Sequence, residues 1–168
     1  MKVIFLDIDG VLNSDEYFEK INNLNVNGIE KKVDVKKIEL LKQAIDETGA
    51  KVVLSSSWRY TKNAEDLKEL LLKYNIYVDS TPLLGSNKRG LEIKQWLQMH
   101  QDVENYVILD DEIFDTYDEE LKNNLIKISD GNGINFGAGL LQKDVEKIIE
   151  KLGKRKLIKD KTKEEMER

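Results

Sequence analysis

The sequence predicts an α/β protein built on a doubly wound, mostly parallel sheet of five strands. Short apolar runs, typical of buried strands, alternate along the chain with longer segments whose apolar residues recur every three or four positions. Because parallel strands need a crossover on a sheet face, this alternation favours βαβ units with right-handed connections. A chain of 168 residues fits one domain of this kind and can bury a sizeable core.

The predicted elements follow one another with clear boundaries. Strands are expected at 2–8, 51–55, 76–78, 106–109 and 125–129, and helices at 35–48, about 64–74, 90–100 and 141–152. Asp34 is a plausible N-cap for the helix at 35–48, and Gly49 is suited to end it. In the helix at 90–100 the residues expected to be buried are Leu91, Ile93, Trp96 and Leu97.

Composition limits the classes of function. The chain has no cysteine, which excludes disulfides, thiolate zinc sites and a cysteine nucleophile. No apolar stretch approaches the roughly 20 residues of a membrane span, and no signal-peptide pattern is present, so we expect a cytoplasmic protein without a membrane partner. A charged tail at 154–168 carries +3 of the net charge of −5, which leaves −8 on the expected domain at 1–153. An acidic body suits a divalent cation better than non-specific nucleic-acid binding.

Polar residues follow the predicted strands at the point where each strand ends. Asp7 and Asp9 follow the first strand, a serine run at 55–57 follows the second, and a pair of aspartates at 110–111 follows the fourth. The carboxyl ends of parallel strands meet at one edge, where open α/β sheets bind ligands. If the first strand continues through Ile8, Asp7 and Asp9 share a face and converge on one cation, while Gly10 lets the chain turn sharply. The pattern predicts an acidic, oxygen-rich pocket.

The same segments resemble a known family. Asp-Ile-Asp-Gly-Val-Leu at 7–12, Val-Val-Leu-Ser at 52–55, the basic pair at 88–89 and Ile-Leu-Asp-Asp at 108–111 resemble the four motifs of the haloacid dehalogenase (HAD) superfamily of phosphohydrolases. The strings Ser-Ser-Ser-Trp-Arg and Lys-Arg-Gly-Leu-Glu-Ile are similar to a small branch found in RNA-repair proteins and phages. The resemblance covers about residues 2–152. It implies the strand order 5-4-1-2-3, with a small flap at 13–34 and no large cap domain.

By this resemblance, Asp7 is the nucleophile that forms an aspartyl-phosphate, as a carboxylate can in covalent phosphoryl transfer. Asp9 protonates the leaving oxygen and then activates water, with its backbone carbonyl on the metal. Asp110 and Asp111 complete the metal shell together with Asp7, and carboxylate oxygens with open water positions fit Mg²⁺ better than zinc. The implied reaction is hydrolysis of a phosphomonoester.

The remaining site residues bind phosphate or substrate in this reading. Ser55 and Ser56 would contact the phosphoryl group through a hydroxyl and nearby backbone N–H groups. Either Lys88 or Arg89 would neutralise the nucleophile and a phosphate oxygen; Arg89 ranks slightly ahead because it immediately precedes a helix. Arg59 is a candidate for substrate contact, with a surface ion pair as the alternative.

Two further points stay open in the sequence. Asp115 is a spare metal ligand whose alternative is a helix cap, and His100, the one histidine, lies at the wrong end of its helix for a Ser-His-Asp arrangement.

Without a cap the site should be open, which favours large phosphorylated substrates such as a 3′-phosphate terminus of RNA or DNA. A small-molecule phosphatase such as a nucleotidase, or a phosphoaspartate signalling module without turnover, are the alternatives.

Overall fold

A computed structural model describes residues 1–129 and 136–156 of the chain. Within them, five strands form one sheet: β1 (Lys2–Leu6), β2 (Lys51–Leu54), β3 (Val78–Ser80), β4 (Asn105–Asp110) and β5 (Leu125–Lys127). The strand order is β3-β2-β1-β4-β5 and every pairing is parallel. The predicted fold class and strand order are confirmed.

Helices cover both faces of this sheet. In chain order they are α1 (Asp15–Ile21), α2 (Val35–Thr48), α3 (Asn63–Leu72), α4 (Arg89–Met99), α5 (Glu119–Asn123) and α6 (Gln142–Leu152). Successive side chains of a strand point to opposite faces, so Ile4 and Leu6 of β1 pack with α2, α3 and α6, whereas Val3 and Phe5 pack with α4 and α5. Strands buried on both faces read as continuous apolar runs, which is the pattern of β1.

The ends of α2 lie where the sequence predicts them. The Asp34 carboxylate accepts a hydrogen bond from the Lys36 N–H at 3.0 Å, as an N-cap does. Gly49 adopts a left-handed conformation, with φ of 73°, and its N–H reaches the Ile45 carbonyl. The β2 strand starts soon after α2 ends. It pairs in parallel with β1, with Leu54 opposite Leu6, so the carboxyl ends of the two strands lie side by side.

The predicted boundaries of four strands are wrong. The third strand begins at Val78 and not at Ile76, because Asn75 turns into a left-handed conformation and the Ile76 N–H binds the Leu71 carbonyl to close α3. The first strand ends at Leu6 and not at Ile8, since the Ile8 carbonyl accepts hydrogen bonds from the next turn of the chain. The second and fifth strands are also shorter than expected, ending at 54 and 127.

Other differences arise where the apolar signal is weak. The sequence did not predict α1, which buries no residue, or α5, which has five residues and buries one. Leu91 was expected to be buried but is 47% exposed, while Ile93 and Trp96 of the same helix are buried as predicted. The flap at 13–34 contains α1 and a short 3₁₀ helix (Gly28–Lys31).

The tail predicted at 154–168 lies outside the described residues from 157 onward. No helix in the described part of the chain combines the length and apolar character needed to cross a membrane.

Candidate active site

Three carboxylates meet at the carboxyl edge of the two central strands. Asp7 follows β1, Asp110 ends β4, and Asp111 comes next, so the parallel register of β1 and β4 brings them together. One carboxylate oxygen of each lies within 4.8 Å of the others, and all three residues are buried. We call these three residues the acidic cluster.

Arg89 opposes the acidic cluster with a single positive charge. Its Nη1 lies 2.8 Å from Asp110 Oδ2 and 3.2 Å from Asp7 Oδ1, and its guanidinium carbon sits 4.3 Å from the centre of the Phe114 ring. Lys88 is exposed, and within the described ranges its side chain makes no hydrogen bond or ion pair. The structure therefore brings Arg89, and not Lys88, into contact with the predicted nucleophile.

The electrostatics of the acidic cluster favour a bound cation. Burial and repulsion from Asp110 raise the pKa of Asp7 well above its usual range, although Arg89 opposes the shift. The same two causes raise the pKa of Asp111 to about 6. Burial disfavours the charge of Arg89, but the Asp7 and Asp110 carboxylates outweigh that effect and raise its pKa.

The donor set fits Mg²⁺. Three carboxylates against one guanidinium leave a formal charge of −2, which a divalent cation would balance. Asp111 Oδ2 is buried, and no group in the described part of the chain donates a hydrogen bond to it. A buried oxygen of this kind needs a partner, and hard carboxylate ligands are those that Mg²⁺ prefers.

Asp110 is held from two sides. Its Oδ2 also accepts a hydrogen bond from the Tyr117 hydroxyl at 2.8 Å, and its Oδ1 accepts one from the Glu112 N–H at 3.1 Å. Tyr117 is among the largest fully buried side chains of the protein. Burial and the Asp110 carboxylate raise the Tyr117 pKa well above its usual range, so its hydroxyl stays a donor to this carboxylate.

A tight turn follows Asp7, the predicted nucleophile. The Ile8 carbonyl accepts from the N–H groups of Val11 and Leu12 at 3.0 and 2.8 Å, and Gly10 has a φ of 79°. A Cβ on Gly10 would lie 2.2 Å from Asp111 Oδ2, so only glycine lets the turn pass this close to the acidic cluster.

Asp9 lies beside the acidic cluster and not within it. Because β1 ends before Asp7, the predicted face shared by Asp7 and Asp9 does not form, and the Asp9 carboxylate is not part of the cluster. Its Oδ1 accepts a hydrogen bond from Asn13 Nδ2 at 2.9 Å, and its Oδ2 accepts one from Trp58 Nε1 at 3.1 Å. The metal contact of its backbone carbonyl stays a prediction.

The two predicted serines have different environments. Ser55 follows β2 next to Asp7, its N–H donates to the Leu6 carbonyl, and its buried hydroxyl has no hydrogen-bond partner in the described ranges. The Ser56 hydroxyl accepts from the Trp58 N–H and so caps the short 3₁₀ helix Ser57–Tyr60. Ser55 is therefore the side chain free to bind a ligand.

Comparison with known protein families agrees with this geometry. Residues 3–136 match the family described as the HAD domain in Swiss Army Knife RNA repair proteins. The chain belongs to this HAD family. The match covers all four motif segments, and at the level of the family it supports a phosphohydrolase function in RNA repair. Neither the curated proteins nor the solved structures gave a match to the chain.

Arg59 of this HAD domain lies in a buried ion pair. Its Nη2 lies 2.9 Å from Glu92 Oε1, its Nε donates to the Ser56 carbonyl at 2.7 Å, and its Nη1 donates to the Thr81 hydroxyl and carbonyl. The side chain is 4% exposed. Arg59 thus ties the serine loop to α4, the helix that carries Arg89, and its predicted contact with substrate remains a prediction.

The structure also places the spare candidate and adds residues that the sequence did not single out. Asp115 is exposed and lies outside the acidic cluster. Asn13 is fully buried; it donates to Asp9, and its Oδ1 accepts from the Gly10 N–H at 2.8 Å. Asn13 and Tyr117 lie only four and seven residues from Asp9 and Asp110, but their roles depend on how the chain turns between the partners, for which a single sequence carries no signal.

Proposed function

We propose that this HAD domain is a Mg²⁺-dependent phosphomonoester hydrolase that forms an aspartyl-phosphate on Asp7. The observation that carries the proposal is the environment of Asp7, a buried carboxylate that touches both a cationic group, Arg89, and two further carboxylates suited to a metal. A carboxylate attacks a phosphate ester only when nearby positive charge offsets the repulsion between the two anions. Arg89 supplies one positive charge beside Asp7, and a cation held by the acidic cluster would supply the rest.

The acidic cluster and the Asp9 backbone carbonyl would hold Mg²⁺. When bound, the ion supplies the positive charge that offsets repulsion between Asp7 and the phosphate oxygens. Arg89 would contact Asp7 and a phosphate oxygen from the start of α4, and the unpartnered Ser55 hydroxyl would donate to another. Ser56 would contribute its backbone N–H, since its hydroxyl is engaged in the cap.

The reaction runs in two steps on the side chains of Asp7 and Asp9. An Asp7 oxygen attacks phosphorus, the ester P–O bond breaks, and Asp9 gives its proton to the leaving oxygen. Water then attacks the phosphorus of the aspartyl-phosphate while Asp9 takes a proton from it, which releases inorganic phosphate and restores Asp7. The hydrogen bonds from Trp58 and Asn13 fix the Asp9 carboxylate for both proton transfers.

The substrate we propose is a 3′-phosphate terminus of RNA or DNA. Membership in a family of RNA-repair proteins supports a nucleic-acid substrate. The flap is small, and the segment 81–88 between β3 and α4 holds no helix or strand, so a strand end can reach the acidic cluster. A folded cap would shield the site from such a substrate.

Phosphate release tests the proposal. Wild-type protein should release phosphate from 3′-phosphorylated oligonucleotides in the presence of Mg²⁺, and chelation or Asp7→Asn should abolish the release. Asp66→Asn, at an exposed position of α3, is the matched control and should retain full activity. Wild-type protein that stays inactive with every divalent metal would contradict the proposal.

A substrate panel then separates the 3′-phosphatase from a nucleotidase. The kcat/KM values for 3′-phosphorylated oligonucleotides, 5′-phosphorylated oligonucleotides and mononucleotides are compared under the same conditions. The 3′-phosphorylated strand should have the highest value. A large preference for mononucleotides would identify a small-molecule phosphatase.

A further inference from the structure

A cleft of about 400 Å³ opens beside the acidic cluster. Its volume falls in the range of small-molecule sites. Arg89, which contacts Asp7, forms part of its lining, and Ser57 of the serine loop forms another part, so the cleft is continuous with the proposed phosphate position. A larger cavity of about 530 Å³ lies near the amino ends of β2 and β3, far from this chemistry.

Two aromatic side chains line the cleft. Tyr60 is 47% exposed, and its hydroxyl is fixed because it donates to Glu92 Oε2 at 3.0 Å and accepts from the Gly85 N–H at 2.9 Å. Phe114 also lines the cleft, and its ring lies against the Arg89 guanidinium. An exposed ring that is held in place loses little conformational entropy when a flat ligand stacks on it.

The charges of the cleft suit a neutral ring at its centre. Arg59 is paired with Glu92, Arg89 is paired with Asp7 and Asp110, and Glu112 adds a further carboxylate to the lining, so these side chains offer no unpaired positive charge to an additional phosphate. Lys88 is exposed at the rim and has no ion-pair partner in the described part of the chain. A cation there can meet a phosphate that lies just outside the cleft.

We infer that this cleft binds the terminal nucleoside of the phosphorylated strand. The base stacks on the Tyr60 ring, the terminal phosphate reaches Asp7, and Lys88 attracts the next phosphate of the strand. This subsite rests on the proposed function, since it takes the acidic cluster as the place where the terminal phosphate is cleaved. Stacking on an aromatic ring recognises any base, because every base has a π-face. The cleft therefore selects strand ends that carry a base, with little preference for sequence.

The test compares two oligonucleotides that differ in one group. Both carry a 3′-phosphate, and one of them lacks the base of its terminal residue. Binding is measured by fluorescence anisotropy with Asp7→Asn protein in Mg²⁺, so that no turnover occurs. The strand with its terminal base should bind at least about 5-fold more tightly, since stacking of a base on an aromatic ring contributes roughly 1–3 kcal/mol.

Variants at Tyr60 assign the preference to the ring. Added to Asp7→Asn, Tyr60→Leu should bring the ratio of the two dissociation constants close to 1. Tyr60→Phe loses the hydroxyl contacts with Glu92 and Gly85 but keeps the ring, so it should retain the preference. Equal binding of the two strands, or a preference that survives Tyr60→Leu, would overturn the subsite.

Turnover by protein with Asp7 intact distinguishes the two proposals. If it releases phosphate from both strands without any preference in binding, the hydrolase stands and the subsite is wrong. If binding shows the preference but no phosphate is released, the subsite stands and the proposed function is wrong.

Discussion

Replacing Glu92 with glutamine should destabilise the protein strongly, because it removes the negative charge of a buried ion pair. Glu92 is 2% exposed and receives hydrogen bonds from Arg59, from the Tyr60 hydroxyl and from the Leu84 N–H. Glutamine keeps the volume and one acceptor oxygen. It leaves the Arg59 guanidinium buried without a compensating charge.

The magnitude follows from the burial of both partners. Breaking a buried pair by removing one partner costs about 3–5 kcal/mol, and the retained acceptor places Glu92→Gln near the lower end. A loss of about 3 kcal/mol lowers the Tm of a chain of this size by roughly 6–12 °C. Urea unfolding at pH 7 and a thermal melt measure both quantities. The matched control is Asp46→Asn, which breaks the pair of the half-buried Lys42 and the exposed Asp46 on the surface of α2 and should cost at most about 0.5 kcal/mol.

The stability that Glu92 contributes should depend on pH. Burial opposes ionisation of Glu92, but the hydrogen bonds from Arg59 and Leu84 outweigh it and lower the pKa below the ordinary value of 4.5. The stabilisation is therefore complete above pH 4.5 and is lost as the pH falls through the lowered pKa. The difference in unfolding free energy between wild type and Glu92→Gln should be constant from pH 7 to 5.5 and should shrink below pH 4.5. A difference under about 1 kcal/mol at pH 7 would refute this account of the ion pair.

Three further substitutions or conditions test the site. Gly90→Ala should lower both stability and kcat, since its Cβ would lie 2.1 Å from the Thr116 carbonyl oxygen and would push the start of α4 away; thermal melts and phosphate release measure the two effects. Tyr117→Phe removes a hydrogen bond to the buried Asp110 carboxylate and should reduce the unfolding free energy by about 1.5–3 kcal/mol in urea. The affinity for Mg²⁺ should fall as the pH drops below about 6, because burial and repulsion hold the pKa of Asp111 there and protons then compete with the ion; calorimetric titrations at pH 7.5 and 5.5 measure it. An unchanged affinity between these two pH values would contradict the assignment of Asp111 as a ligand.

Residues at the ends of helices and strands correctly predict which elements position the site. Asp34 and Gly49 place both ends of α2 correctly because caps depend on residues next to each other in the chain. Asp7, Asp110 and Asp111 meet as expected, because parallel strands deliver their carboxyl ends to one edge.

The finer geometry depends on contacts between distant residues. The period-2 argument fails for Asp9 because the chain turns after Leu6, and a hydrogen bond from Trp58, 49 residues further along the chain, then helps to decide where its carboxylate points. The role of Arg59 as a tie to Glu92 rests on a partner 33 residues away. No spacing rule predicts such pairs.

Trapping the phosphoenzyme tests the central claim most directly. With an aryl phosphate, whose leaving group departs without being protonated, Asp9→Asn protein should accept the phosphoryl group but release it slowly, since the second step needs a base at position 9. Borohydride reduces an aspartyl-phosphate to homoserine, so acid-quenched and reduced protein should contain homoserine at position 7, and Asp7→Glu or metal-free controls should contain none. Phosphate release by the wild type with no homoserine at position 7 of the trapped protein, or with homoserine at another position, would contradict the assignment of Asp7 as the nucleophile.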